Sequence, residues 1–178
     1  MRTPSRSASA PILRSVLAAL TFLAPPCTAL AQPTGSVEAW GAQIIPRSSE
    51  MTNLRAAAAG AFHSLGLKAD GSIIGWGSDY YGQATAPAPN TGFTAVAAGG
   101  SASLGLKADG TIAAWGNNGF GQCNVPTPNS GFTAISVGWA FSLGLKADGS
   151  IIAWGSDGQV QSTVPVPNAG FTAVAAGL

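Results

Sequence analysis

The sequence predicts an all-β fold made of repeated antiparallel sheets, and three observations carry that reading. The eight residues SLGLKADG occur three times, at Ser64–Gly71, Ser103–Gly110 and Ser142–Gly149, each copy 39 residues after the last. Trp76, Trp115 and Trp154 keep the same 39-residue spacing, as do Phe93, Phe132 and Phe171. After residue 31 the only helix-like run is Ala56–Ala59, and it aligns with the strand-type residues Ala95–Ala98, so tertiary context should override its propensity.

One unit reads GFTAVAAGGSASLGLKADGTIAAWGNNGFGQCNVPTPNS, from Gly92 to Ser130. FTAVAA and FTAISV are short apolar runs that predict a first strand. SLGLKA and the TIAAW or SIIAW run flank Asp-Gly, which predicts a hairpin on a type I′ turn with positive φ at both central residues. GQCNVP and QSTVP read as a fourth, short edge strand ended by prolines that cannot donate to a ladder. Pro-Asn-x-Gly is the turn into the next unit. SIIAW is continuously apolar, as expected of a strand covered on both faces. Three or four antiparallel strands in about 40 residues, with one Trp-Gly each, match a β-propeller blade. The small side chains of AVAAG and AISVG suit the crowded axis, and the tryptophans suit the space between blades. The blade units are 54–91, 93–130 and 132–169, with partial units at 35–53 and 170–178.

The pattern G-x-x-x-S-L-x-L-x-x-D-G-x-x-x-x-W-G-x-x-x-x-G-Q, as in Gly99–Gln122, resembles the regulator of chromosome condensation repeat. In its short 39-residue form it is most similar to the secreted bacterial branch that includes the propeller-type β-lactamase inhibitory protein. The resemblance covers residues 35–178 and implies a ring of about seven blades, within the four to eight of propellers. The expectation is therefore an incomplete ring, three full blades plus parts of a fourth, read first as part of a longer reading frame, with a ring completed by other chains or an open arc as the alternatives.

Residues 1–31 read as a secretory signal peptide. Arg2, Arg6 and Arg14 form a basic opening, an apolar run spans about 16–24, and Ala29-Leu30-Ala31 is a small-residue cleavage site. The run is too short to span a membrane and Pro25-Pro26 interrupts it, so the expectation is export, with no membrane insertion after cleavage. The remaining chain, 32–178, sets five cations (Arg47, Arg55, Lys68, Lys107, Lys146) against seven carboxylates, a balance of 5 − 7 = −2. Lysines spaced one per repeat give no footprint for a phosphate backbone, so no nucleic-acid partner is expected. Cys27 leaves with the signal and Cys123 remains alone, which makes packing rather than disulfides the source of stability. Cys123 reads as a small buried hydrophobe.

Little in the chain suggests catalysis. His63 is the only histidine, and no nucleophile or carboxylate is placed beside it by sequence. One aspartate per KADG cannot assemble the six to eight oxygens of a calcium site, so Asp70, Asp109 and Asp148 read as turn residues. Zinc ligands and phosphate-binding glycine loops are absent. We expect no enzyme activity, no metal and no cofactor.

The copies differ in two windows. One follows the first strand: Ala61-Phe62-His63, Gly100-Ser101-Ala102 and Trp139-Ala140-Phe141. The other follows Trp-Gly: Ser78-Asp79-Tyr80-Tyr81, Asn117-Asn118-Gly119-Phe120 and Ser156-Asp157-Gly158-Gln159. In an up-and-down blade both windows lie at one end and the ADG turns at the other. Phe62, His63, Tyr80, Tyr81, Asn117, Asn118, Phe120, Trp139, Phe141 and Asp157 are therefore the candidate partner-binding residues. Aromatics mixed with small polar groups are what binding surfaces favour. The expected function is an exported non-enzymatic binding module for a protein partner, with a glycan as the lesser option. A structural repeat segment of a larger cell-surface or extracellular protein is the alternative, and β-lactamase inhibition is implied only by the resemblance.

Overall fold

The computed structural model describes residues 43–177, so the signal-peptide reading of 1–31 lies outside the described residues. Ten strands and no helix are found among them: β1 (Gln43–Ile44), β2 (Leu54–Ala59), β3 (His63–Lys68), β4 (Ile73–Ser78), β5 (Phe93–Ala98), β6 (Ala102–Lys107), β7 (Ile112–Gly116), β8 (Phe132–Val137), β9 (Phe141–Lys146) and β10 (Ile151–Gly155). Each 39-residue unit makes one antiparallel three-stranded sheet, β2-β3-β4, β5-β6-β7 and β8-β9-β10, and β1 adds to β4 at the edge of the first. The repeat is exact in register: Ser64, Ser103 and Ser142 stand opposite Trp76, Trp115 and Trp154.

The ADG hairpins differ from the sequence expectation. Gly71, Gly110 and Gly149 have positive φ, and the aspartates before them do not. Lys68 N–H donates to the Ser72 carbonyl at 2.8 Å and Gly71 N–H to the Lys68 carbonyl at 3.0 Å. This is a three-residue loop, a type I turn closed by a left-handed glycine, rather than type I′. The aspartate explains the choice, because in the right-handed region Asp70 Oδ1 accepts from both Ser72 N–H (2.9 Å) and Ser72 Oγ–H (2.6 Å). Asp109 with Thr111 and Asp148 with Ser150 repeat the arrangement. These bonds stabilise the ionised form and hold the three carboxyl groups below the usual aspartate range.

The asparagine of each Pro-Asn-x-Gly turn does more than turn the chain. Asn90 accepts from Ile73 N–H at 2.8 Å and donates to the Ile73 carbonyl at 2.7 Å, pairing the start of β4 as a strand would. Asn129 and Asn168 do the same for Ile112 and Ile151. Beside these turns Phe93 N–H donates to the Gly71 carbonyl at 3.0 Å, and Phe132 N–H to that of Gly110, joining successive blades.

No fourth strand follows β4, β7 or β10 among the described residues. Residues 79–92 and 117–131 form turns and irregular chain. The corresponding residues of the first partial unit, β1, pair with β4 of the next blade. These segments thus act as straps to the following blade, which removes them from their own sheet's ladder. Residues 171–177, expected to begin another first strand, are likewise not in a strand among the described residues.

The core lies between blades. Leu65, Leu67 and Ile73 of the first blade meet Phe93 and Trp115 of the second, and Leu104, Leu106 and Ile112 of the second meet Phe132 and Trp154 of the third. Full burial of one such side chain contributes about 1.5–3 kcal/mol. The inner strands β2, β5 and β8 are followed directly by Gly60, Gly99 and Gly138, where the blades converge. Ala61 N–H donates to the Gly99 carbonyl (2.9 Å) and Gly100 N–H to the Gly138 carbonyl (3.2 Å). A Cβ on Gly99 would run into the Gly138 carbonyl oxygen and the Val137 side chain, whereas one on Gly177 would meet nothing within 4 Å. Gly99→Ala is therefore expected to lower unfolding stability by roughly 1–3 kcal/mol, the usual range for overpacking. Gly177→Ala should leave it unchanged, as measured by urea denaturation of the two variants.

Candidate functional site

The two variable windows are tied together in every blade. Ser78 N–H donates to the Phe62 carbonyl at 2.8 Å, Asn117 N–H to that of Ser101 at 2.8 Å, and Ser156 N–H to that of Ala140 at 2.9 Å. Both windows thus share one end of each sheet, opposite the ADG turns.

The glutamine after each loop organises this end. Gln122 Oε1 accepts from Phe120 N–H at 2.9 Å, and Gln83 Oε1 from Tyr81 N–H at 2.8 Å, so each side chain pins its own loop. The main-chain carbonyl of the same residue reaches the next blade. That of Gln83 accepts from Trp115 Nε1–H (2.9 Å) and Ser103 Oγ–H (2.8 Å), and that of Gln122 from Trp154 Nε1–H (2.8 Å) and Ser142 Oγ–H (2.8 Å). Gln83, Gln122, Ser103 and Ser142 are buried. The sequence reading missed these residues as site-builders. Their signal was the strict repetition of Gln and Ser at fixed distance from each tryptophan.

Ring by ring, the aromatic candidates gather on this end. Tyr80 is 74% exposed, and Phe62, Tyr81, Phe120 and Trp139 are each more than half exposed. Trp139 leans from the third blade across the middle one to meet Phe62 of the first, edge to face at 6.2 Å between centroids. Gly100 permits this, since a Cβ there would lie 2.9–3.2 Å from the Trp139 carbonyl and ring. Tyr80 and Tyr81 pack edge to face at 4.8 Å. Between the rings runs a groove of about 240 Å³ lined by Phe62, Tyr81, Ser101, Asn117, Phe120 and Trp139, with Gln122 at its base. A second hollow of about 310 Å³ lies on the other side of Trp139, against Phe141, Gln159 and Gln161. Ser101 and Gln122 are lining residues absent from the sequence-based set.

Other candidates have structural work. Asn118 Oδ1 accepts from Cys123 N–H at 2.9 Å and its amide donates to Asn124 Oδ1 at 2.8 Å. Asp157 Oδ1 accepts from Ser162 N–H at 3.0 Å, and hydrogen bonding from the Ser162 side chain first and its backbone second holds the carboxyl below the usual range. Both are exposed loop-closing residues rather than groove walls. Cys123 is half-buried, its thiol donating to the Trp115 (3.4 Å) and Asn117 (3.3 Å) carbonyls, and burial pushes its pKa up to about 11. It is not poised as a nucleophile at neutral pH.

His63 corrects the sequence-based set most clearly. It is only 3% exposed and faces the seam between the first two blades, against Ser103. Its Nε2 lies 2.7 Å from Ser103 Oγ. The Ser103 proton is already given to Gln83, so the imidazole must donate from Nε2, leaving Nδ1 as a buried acceptor without a partner. Ser103 is fully buried and its proton points away from the ring, so the pair is a clamp rather than a nucleophile and its base. Burial lowers the His63 pKa, with the nearby Asp79 charge opposing more weakly.

The regulator of chromosome condensation (RCC1) repeat matches at residues 55–83, 93–122 and 132–160, and the chain belongs to this repeat family. A search among curated proteins finds no match. Among solved structures the chain is similar to Prp20p from Saccharomyces cerevisiae, described with its binding properties to Gsp1p and histones. That likeness is 22% identical, covers 65% of this chain and 33% of that one, with a TM-score of 0.56. It is also similar to the CRINKLY WD40 ectodomain of the Arabidopsis thaliana receptor kinase ACR4, at 26% identity, 70% and 42% coverage and a TM-score of 0.56. The CR4 receptor kinase ectodomain from Physcomitrella patens stands at 26%, 69%, 36% and 0.56. The chain thus spans between a third and about two-fifths of the length of these structures. Propellers of this repeat are generally binding or regulatory modules.

A neutral buried His63 makes stability acid-sensitive. With its folded pKa depressed below the unfolded value of 6.5, its contribution is complete above pH 6.5 and is lost as pH falls from there toward the folded pKa. Thermal melts of the wild type between pH 7 and about pH 4.5 are expected to show a falling Tm. His63→Phe, which places there the residue type of Phe141, should flatten that slope. An equal slope in both proteins would move the acid sensitivity elsewhere.

Proposed function

We propose that the chain is an exported, non-enzymatic binding module that holds a protein partner on its variable loop face, centred on the groove beside Trp139. The observation that carries this reading is the exposure of five large aromatics, Phe62, Tyr80, Tyr81, Phe120 and Trp139, on one end of adjoining blades. Exposed aromatic surface of this kind marks interaction sites. Tyr80, Tyr81 and Phe120 stand on loops whose backbone is anchored by buried glutamines, so a partner would meet those rings already held in place. Binding of Gsp1p and histones is described for Prp20p, and that protein's likeness supports a protein as the class of partner here. The basic, then apolar character of residues 1–31 supports export.

Selection of displayed peptides and protein fragments on the full chain provides the test. Binders enriched on the wild type are expected to lose affinity by more than about tenfold on a Tyr80→Ala, Tyr81→Ala, Trp139→Ala triple variant, the loss typical of a hot spot. Its melting curve should stay unchanged. Binders indifferent to the triple substitution would place the interface elsewhere.

A further inference from the structure

The turn between β2 and β3 carries a buried titratable ring and an exposed groove wall side by side. His63 is 3% exposed, whereas Phe62 next to it is 59% exposed and meets Trp139 edge to face at 6.2 Å. Gly60 N–H donates to the His63 carbonyl at 2.8 Å and closes the turn. The imidazole lies against that closure, since a Cβ on Gly60 would come within 2.7 Å of its Cε1 and 2.8 Å of its Nδ1. Ala61 N–H to the Gly99 carbonyl (2.9 Å) and His63 Nε2–H to Ser103 Oγ (2.7 Å) dock the turn on the second blade. A proton taken from solvent must land on Nδ1, because Nε2 already carries one. Among the described residues Nδ1 has no partner in the chain, and the backbone of Gly60 closes the space beside it. The imidazolium would therefore bury both a charge and an N–H without an acceptor. Asp79, in the strap after β4, is the charge that faces it. Its oxygens are already engaged, Oδ1 by Ala84 N–H and Thr85 N–H and Oδ2 by Thr85 Oγ–H. The other charged groups of the first two blades, Arg55, Lys68, Asp70, Lys107 and Asp109, stand at the ADG end of the strands.

We propose that protonation of His63 opens this turn and draws Phe62 off Trp139, so that the groove is whole at neutral pH and loses a wall in acid while the blades stay stacked. This is a regulation of the proposed binding face and rests on that reading. The ring cannot leave the seam without loosening the turn it is packed against, and Phe62 is the next residue of that turn. The seam itself does not need the histidine. Ala102 holds the equivalent place at the seam between the second and third blades, fully buried, and there Ser142 bonds the Gln122 carbonyl beside Trp154 with no titratable partner. Ser103 can keep its bond to the Gln83 carbonyl in the same way once the ring has gone. The opening is thus confined to one turn of one seam. Its direction follows from burial, which lowers the His63 pKa below 6.5 in the closed turn. The open turn then binds the proton more tightly, so falling pH favours it below 6.5 and the closed turn is favoured above. One proton limits the change in the open-to-closed ratio to about tenfold per pH unit.

NMR of the full chain reads the switch without any partner. NOEs between the Phe62 and Trp139 rings are followed from about pH 7.5 to about pH 4.5 together with the indole N–H signals of Trp139 and Trp154. In the wild type the NOEs should fall by at least about twofold and the Trp139 signal should shift, both below pH 6.5, while the Trp154 signal stays in place. His63→Gln keeps a donor for Ser103 and takes up no proton, and it should hold the NOEs across the range. His63→Ala, which copies Ala102, serves if the glutamine variant does not fold. NOEs that persist in the wild type until the Trp154 signal is also lost would overturn the inference, because the acid change would then be global unfolding. NOEs lost equally in the variant would overturn it too, by removing His63 as the cause. Either result would leave the binding role of the face standing. Selected binders indifferent to Tyr80, Tyr81 and Trp139 would instead remove that role, and the switch would lose the site it regulates.

Discussion

One main-chain carbonyl at each of the two blade seams holds the described structure together. The oxygen of Gln83 accepts an indole N–H and a serine O–H from the following blade, and the oxygen of Gln122 does the same one repeat later. All the partners are buried, where an unsatisfied group is costly and a satisfied one is directional. Hydrophobic contact of Leu65 and Ile73 with Phe93 and Trp115, and of Leu104 and Ile112 with Phe132 and Trp154, supplies attraction between blades without specifying an angle. The latch supplies the angle. It fixes how far each strap crosses toward the next sheet and which face of the tryptophan meets the phenylalanine beneath it.

The same residue joins the scaffold to the loops. Its carbonyl belongs to the next blade's core, while its side-chain oxygen receives the N–H of the residue two before it, Tyr81 or Phe120. A loop that varies from copy to copy is thereby anchored on a residue that does not. The first variable window is held from the other side, by the close approach of Gly60, Gly99 and Gly138 at the ends of the inner strands. Trp139 reaches Phe62 over Gly100 only because both anchors are set. Aromatic side chains from three blades can then form one groove without any long loop.

Repetition made the fold legible. Residues written identically every 39 positions must meet identical neighbours, so Trp-Gly, SLGLKADG and Pro-Asn-x-Gly could be read as blade, hairpin and turn from the sequence. The errors fall where the outcome depends on a residue beyond the motif. Asp-Gly suits two hairpin types, and the Ser or Thr after it selects the three-residue loop by bonding the aspartate. The strap resembled a strand because its composition is strand-like, but its partners are a tryptophan and a serine on another blade. At the candidate site the meeting of the two windows followed from topology. Burial of His63 did not, since its partner Ser103 is 40 residues away and is shared with Gln83. Nor did the reach of Trp139, which depends on a missing Cβ at Gly100.

Hydrogen exchange of the tryptophan indole protons tests the latch most directly. The Trp115 and Trp154 Nε1–H groups are buried and bonded to main-chain carbonyls, whereas that of Trp139 is on a ring 51% exposed. Resolved by NMR on the full chain, the first two should exchange only through opening of the blade seams, at least about a hundredfold more slowly than Trp139. Exchange of Trp115 and Trp154 as fast as that of Trp139 would contradict the account, because the blades would then be stacked without the latch.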